Sequence, residues 1–257
     1  MCTLTILPRP DAGSASHGAR VAFNRDELRA RAPGTDPALE QHGSCLALLP
    51  RDPEGGGTWL AATDLGLVFT LLNINPARAA PTGGASRGSI IPGALEAGSL
   101  AEVEKLLPRL SAPVRRPFRL VVTDGTALLE AIGGGGSVKS RRTPLDRPFM
   151  RCSSGVGDAT VEPHRSEAFD RLFMPGTGDP VAAQNAFHRH RCLDDEACSI
   201  DMSRDDACTV SWTVVELGSH STRMTHYPGA PREERDPIEH TIPLADQSGR
   251  PTEASVE

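Results

Sequence analysis

Short apolar runs broken by turn residues dominate the amino-terminal third of the chain, and they read as strands. Thr3–Leu7 is β-prone and opens the series. A turn-rich gap, Pro8 to Gly18, separates it from Arg20-Val21-Ala22-Phe23, a second strand that runs into Asn24-Arg25-Asp26-Glu27. Leu28–Gly43 is rich in Arg, Ala and Pro and reads as a loop. Cys45–Leu49 is a short apolar strand, and a glycine-rich turn leads from it to a strand over Thr58–Ala62. Thr63-Asp64-Leu65-Gly66 makes a hairpin turn before Leu67–Leu72, a near-continuous apolar run of the kind buried on both faces. These strands are expected to pair antiparallel, and the polar Asn73 closes the last of them.

The periodicity then changes. Pro76–Gly84 reads as a loop, and Ser86-Arg87-Gly88 opens a short helical stretch constrained by Pro92. Ser99 followed by Glu102 is a capping box. It starts a helix whose Leu100, Val103, Leu106, Leu107 and Leu110 recur at helical spacing, with Pro108 straining the last turn. Phe118–Thr123 and Ala127–Ile132 are strands joined through Asp124-Gly125, a hairpin signal. The glycines at 133–136 lack the Gly-Lys-Ser/Thr ending of a phosphate loop and read as a flexible loop, as does basic Arg141–Pro148. Phe149–Ser154 is a strand, Pro163–Met174 a helix, and Asp179-Pro180 caps a helix reaching about His190. Thr209–Leu217 is a strand with Arg223–Tyr227 as its hairpin partner. From Pro228 the composition turns Pro- and charge-rich, so a single domain over 1–227 and a surface arm over 228–257 are expected.

Composition narrows the function. A chain of 257 residues has enough length for one sizeable core. A net charge of −6, with no basic block, argues against a nucleic-acid partner. The first residues lack the positive and apolar regions of a secretory leader, and nowhere do about eighteen apolar residues run together. No membrane span is expected. Six cysteines without an export signal point to reduced thiols and a cytoplasmic location. His188, His190, Cys192 and Cys198 match no zinc spacing, and the two histidines would point about 200° apart on a helix. Neither a metal nor a cofactor is expected; the expected partner is a small-molecule substrate or ligand.

Chemistry concentrates at the start. Methionine aminopeptidases remove Met1 when the second residue is as small as Cys2, leaving a thiol and a free α-amine on one residue. Their unperturbed pKa values, about 8.5 and about 7.7–8.0, make them a self-contained nucleophile and base. The plain alternative is that Cys2 is a small strand residue. Antiparallel pairing of the first two strands around their turn places Cys2 roughly opposite Arg25, bringing a cation and a carboxylate to the thiol.

The Met-Cys opening, Asn24-Arg25-Asp26-Glu27, Gly56-Gly57-Thr58-Trp59-Leu60, and a strand ending at Asn73 followed by Ser86-Arg87-Gly88 occur in this order over roughly the first ninety residues. Together they resemble the NRDE, or transport-and-Golgi-organisation-2, proteins, which are similar to amino-terminal-nucleophile (Ntn) hydrolases; beyond Leu110 the resemblance is looser. It implies an α+β fold, a four-layer αββα sandwich of two antiparallel sheets between helical layers. It implies acyl transfer to Cys2 and cleavage of a C–N bond in a small amide. Arg25 would hold the thiolate or a substrate carbonyl, Asp26 would orient the α-ammonium, and Asn73 would offer its amide to a developing oxyanion. Asn24 and Trp59 would contact substrate, and Arg87 could meet an anionic one. Four of these have an architectural alternative: a structural ion pair for Arg25 and Asp26, a cap for Asn73, a surface role for Arg87. The scaffold also admits a second class of function, a non-hydrolytic carrier that handles a metabolite, lipid or haem.

Overall fold

The computed structural model describes residues 2–10, 17–75, 83–114, 116–173, 178–192 and 195–245. Thirteen strands among them form two antiparallel sheets. The first sheet holds β1 (Cys2–Pro10), β2 (His17–Leu28), β10 (Phe149–Ser153), β11 (Ala207–Leu217), β12 (Ser221–Tyr227) and β13 (Ile238–Pro243), in the order β10-β1-β2-β11-β12-β13. The second runs in chain order through β3 (Ala38–His42), β4 (Cys45–Leu49), β5 (Leu60–Thr63), β6 (Val68–Asn73), β7 (Phe118–Thr123), β8 (Ala127–Gly134) and β9 (Ser137–Pro144).

Strand alternation assigns the layers. Leu4, Ile6, Val21 and Phe23 of the first sheet meet Leu48, Leu60, Val68, Leu72 and Val121 of the second in a core between the sheets. The opposite face of the second sheet, with Phe69, Leu71, Phe118, Leu120 and Val122, is covered by α1 (Leu100–Ser111) through Leu100, Val103 and Leu107. Val68–Leu72 is therefore buried on both faces, as its apolar run predicts. The outer face of the first sheet is covered by α2 (Asp158–Leu172) and α3 (Pro180–His188), with Val161, Ala168, Phe169 and Phe187 packed against Met150 and Cys152. The result is the αββα sandwich. Ser99 caps α1 by accepting from the Glu102 amide, and Asp179 caps α3 by accepting from Val181.

Several elements depart from the sequence reading. Ala38–His42, inside a predicted loop, forms β3. Arg141–Pro144, also predicted as loop, belongs to β9; of the 133–136 glycines the first two end β8 and Gly135-Gly136, both at positive φ, make the turn into β9. The predicted arm from Pro228 instead sends β13 back to pair with β12, so the sandwich extends past residue 227. All three strands lie at sheet edges and are largely solvated, so they carry little apolar alternation. Helix α2 begins at Asp158, ahead of the predicted Pro163, and α3 ends at His188. Met1, residues 76–82 of the predicted loop, Met174 and residues 246–257 lie outside the described residues.

Candidate active site

Strand β1 runs between β2 and β10, so its first residue is held from both sides: Cys2 pairs with Arg25 on one and Ser153 on the other. The pairing across β2 is the predicted one. Cys2 shares the parity of Leu4 and Ile6, faces the second sheet, and lies at the floor of a cleft of about 370 Å³ at the mouth of the inter-sheet core. It is 7 % exposed. Arg25, Asp26, Trp59, Asn73 and Arg87 line the same cleft.

Arg25 has the parity of Val21 and Phe23, which carries its guanidinium into the space between the sheets. An aromatic face compensates the charge: the guanidinium carbon lies 4.1 Å from the centre of the Trp59 ring. Glu27 accepts from Arg25 Nη2 at 3.2 Å. Trp59 is positioned by the preceding glycine turn, where Gly57 allows the 83–88 segment to approach: a Cβ there would lie 2.5 Å from the Gly88 carbonyl carbon. The amide of Thr58 donates to that carbonyl at 3.2 Å. This contact joins the Gly-Gly-Thr-Trp and Ser-Arg-Gly pieces of the sequence into one wall. Asn73 ends β6 beside Phe118 of β7 and borders the cleft near Leu71.

Asp26 is almost fully buried, and its Oδ1 accepts from Thr209 Oγ1 at 2.7 Å. Thr209 is brought there by a bulge in β11 between Thr209 and Ser211, which lets two strand positions serve Arg25 and Asp26 separately. Burial raises the Asp26 carboxyl above the ordinary carboxylate range, opposed by Arg165 and the amino-terminal charge. Burial also raises the Cys2 thiol, and the Asp26 charge adds to that rise. The amino-terminal charge, Arg25 and a hydrogen bond from the Asp26 backbone N–H oppose it. The expected cationic activation of Cys2 therefore works against desolvation.

Asn24 does not belong to the cleft, which corrects its assignment to substrate. Having the parity opposite to Arg25, it points toward the helices, where its Nδ2 donates to the His188 and Ile200 carbonyls at 2.9 and 3.0 Å. Its Oδ1 lies 2.9 Å from His188 Nδ1. An amide oxygen only accepts, so the proton sits on Nδ1 and His188 Nε2 accepts from Thr5 Oγ1 at 2.7 Å. Burial, with Arg20 nearby, pushes the His188 pKa down to about 3, keeping the ring neutral. His188 is thus committed to architecture.

Three groups escaped the sequence reading. Arg165 is buried on α2, donates to Thr3 Oγ1 at 2.8 Å, and supplies positive potential to Asp26. Its signal was legible: an arginine at helical spacing from Ala168, Phe169 and Leu172 on an apolar face. Arg31 lines the cleft and bonds Asp52 at 2.6 Å, and Arg116 lines it from the turn before β7. Neither has a local sequence signal.

Two facing antiparallel sheets between helical layers, with a cysteine at the cleft end of the first strand, define an Ntn-hydrolase-like fold. Solved structures of that class are similar. A penicillin V acylase from Agrobacterium tumefaciens aligns with TM-score 0.54 and 8 % identity over 95 % of this chain and 86 % of that one. An N-acylethanolamine-hydrolyzing acid amidase ortholog from Caenorhabditis elegans aligns with TM-score 0.53 and 10 % identity over 95 % and 100 %. A C2A mutant of a conjugated bile acid hydrolase from Clostridium perfringens gives 0.52 and 9 % over 95 % and 92 %. At these identities the likeness is one of fold. The sequence profile of the family described as Transport and Golgi organisation 2 matches residues 1–140, and the chain belongs to that family. No curated protein sequence matches the chain. No helix among the described residues is long and apolar enough to cross a membrane.

Proposed function

We propose that the protein is a cysteine Ntn-type hydrolase that cleaves the amide C–N bond of a small substrate through an acyl-enzyme on Cys2, after removal of Met1. The observation that carries this reading is the convergence of Cys2, Arg25, Asp26 and Asn73 on one cleft, from three separate strands. The fold it shares with a penicillin V acylase, a conjugated bile acid hydrolase and an acid amidase supports it further.

The chemistry follows from the groups present. The α-amine of Cys2 takes the thiol proton while the sulfur attacks the carbonyl carbon, and the carbonyl π pair moves to oxygen. The side-chain amide of Asn73 donates to that oxyanion; losing one such donor typically raises the barrier by about 3–4 kcal/mol. On collapse the C–N bond breaks, and the leaving nitrogen takes the proton from the α-ammonium. Water then attacks the thioester and gives a proton to the amine, the C–S bond breaks, and the sulfur recovers the proton. Asp26 holds the α-ammonium in position, and Arg25, fixed by Trp59 and Glu27, stabilises the thiolate. Trp59 and Arg87 contact the bound substrate. A desolvated thiol with a raised pKa requires such a built-in base.

Incubation with 4-nitrophenyl acetate tests the reading. Intact mass is expected to show the chain without Met1 and one acetyl group, located on Cys2 by peptide mapping and absent from Cys2→Ala. Retained Met1 with no acyl-enzyme, together with ligand retention unaffected by Cys2→Ala, would overturn it in favour of a carrier.

A further inference from the structure

The Cys2 cleft has more positive than negative side chains, and the surplus lies in one place. Its carboxylates are already engaged. Glu27 accepts from Arg25 at 3.2 Å and faces Arg31 at 3.8 Å; Asp52 accepts from Arg31 at 2.6 Å; Asp26 accepts from Thr209. Arg25 and Arg31 are correspondingly neutralised. Arg87 and Arg116 are not: neither forms an ion pair with a carboxylate among the described residues. Arg87 donates through Nη1 to the Pro117 carbonyl at 3.1 Å, which anchors one edge of its guanidinium beside the cleft. Arg116 is exposed and lines the cleft from the adjoining residue.

The two cations also act on each other. Burial lowers the Arg87 pKa first, and the charges of Arg116 and, less, Arg31 lower it further, while negative charge on Cys2 and on Glu27 raises it. Arg87 therefore lies within the electrostatic reach of both the other guanidinium and the nucleophile. Two like charges converging on a partly desolvated wall repel, and an anion between them relieves the repulsion of both.

We infer that Arg87 and Arg116 form an anion-binding wall of the Cys2 cleft, so that its substrate carries a carboxylate or phosphate group near the scissile carbonyl. This assignment rests on the proposed Cys2 chemistry only in calling the occupant a substrate. The cleft is at the small end of the range for ligand sites, which suits a compact anion.

The experiment compares alkylation of Cys2 by iodoacetate and iodoacetamide. In both reactions the thiolate forms an S–C bond and expels iodide, and only the reagent charge differs. The iodoacetate-to-iodoacetamide rate ratio at Cys2, read by peptide mapping, is expected to exceed that of free cysteine by about tenfold at low salt. It should shrink as ionic strength rises. Arg116→Gln, at an exposed position, and Arg87→Gln should each lower the ratio severalfold. Protection by glutarate would assign a carboxylate site and protection by inorganic phosphate a phosphate site. A ratio equal to that of free cysteine, or unchanged in both variants, would overturn the inference.

A parallel comparison of 4-nitrophenyl acetate with 4-nitrophenyl hydrogen glutarate separates the two readings. An acyl-enzyme formed with no preference for the anionic reagents would remove the anion wall and leave the hydrolase. A marked preference for iodoacetate with no acyl-enzyme from either ester would leave the wall and remove the hydrolase.

Discussion

Asp26→Asn keeps the shape of a buried side chain and removes its charge. The hydrogen bond from Thr209 at 2.7 Å survives but loses a charged acceptor. Bonds to charged groups contribute about 1.5–3 kcal/mol and neutral ones about 0.5–1.5, so the loss is about 1 kcal/mol. Desolvation works in the opposite direction. Burial raises the folded pKa of Asp26 above that of an ordinary aspartate. Such an acid contributes stability below its unfolded pKa, and the contribution is lost as pH rises through the folded value. Above its unfolded pKa the buried acid is therefore a burden that asparagine removes. The two effects offset, and the melting temperature should stay within about 2–4 °C of wild type.

Activity should respond differently. Without the carboxylate the α-ammonium loses its orienting partner, and removing a positioned acid–base group typically costs about a hundredfold or more in rate. The Asp26 charge also contributes to raising the Cys2 thiol, so the variant thiol should titrate lower and label with iodoacetamide no more slowly than wild type. Acyl-enzyme turnover, iodoacetamide labelling and a thermal melt on the same preparation check all three outcomes. A structural ion pair would behave otherwise, costing about 3–5 kcal/mol when broken. A melting temperature lowered by more than about 6 °C, with turnover per folded molecule retained, would refute the reasoning.

Two further outcomes follow from the surroundings of the site. His188 is held neutral with its pKa depressed to about 3, so its contribution is complete above about pH 6.5 and is lost as pH falls from there toward about 3. The His188 contribution should fall by about 2 kcal/mol between pH 6.5 and 5, measured by denaturant unfolding; His226, which burial depresses to about 4, adds a similar slope, so His188→Gln should about halve the steepness there, and a variant curve parallel to wild type would count against it. Gly57→Ala places a Cβ 2.5 Å from the Gly88 backbone and forces the Arg87-bearing segment outward. Acylation of Cys2 should slow by about tenfold or more with a modest change in melting temperature, and an unchanged rate would show that this contact does not shape the cleft.

The sandwich was legible wherever a strand has a buried face. Thr3–Leu7, Cys45–Leu49, Leu67–Leu72, Phe118–Thr123 and Thr209–Leu217 each carry apolar side chains that only a core explains; the first lies within the longer Cys2–Pro10 strand and the others match theirs within a residue or two. β3, β9 and β13 were missed for the converse reason. At the edges their side chains are mostly solvated, and their pairing is held by backbone hydrogen bonds that leave no mark on residue choice. The Pro163–Met174 spacing located α2 but not its start, because a proline six positions in reads locally as a first-turn residue.

For the site, the sequence by itself determined the nucleophile candidate and its neighbour. Cys2 opposite Arg25 follows from two strands and one turn, a local pairing with few alternatives. Parity then decided what motif reading treated as one unit. Within Asn24-Arg25-Asp26-Glu27, alternation sends Arg25 between the sheets and Asn24 to the helices, a distinction that depends on which face each sheet buries. Tertiary structure alone supplied Thr209, Arg31 and Arg116, which reach the cleft or its buried carboxylate from positions that no local pattern marks. It also decided the electrostatics. The charges near Cys2 are visible in the sequence, but their balance against desolvation depends on how deeply the folded chain buries them, and only packing sets that depth.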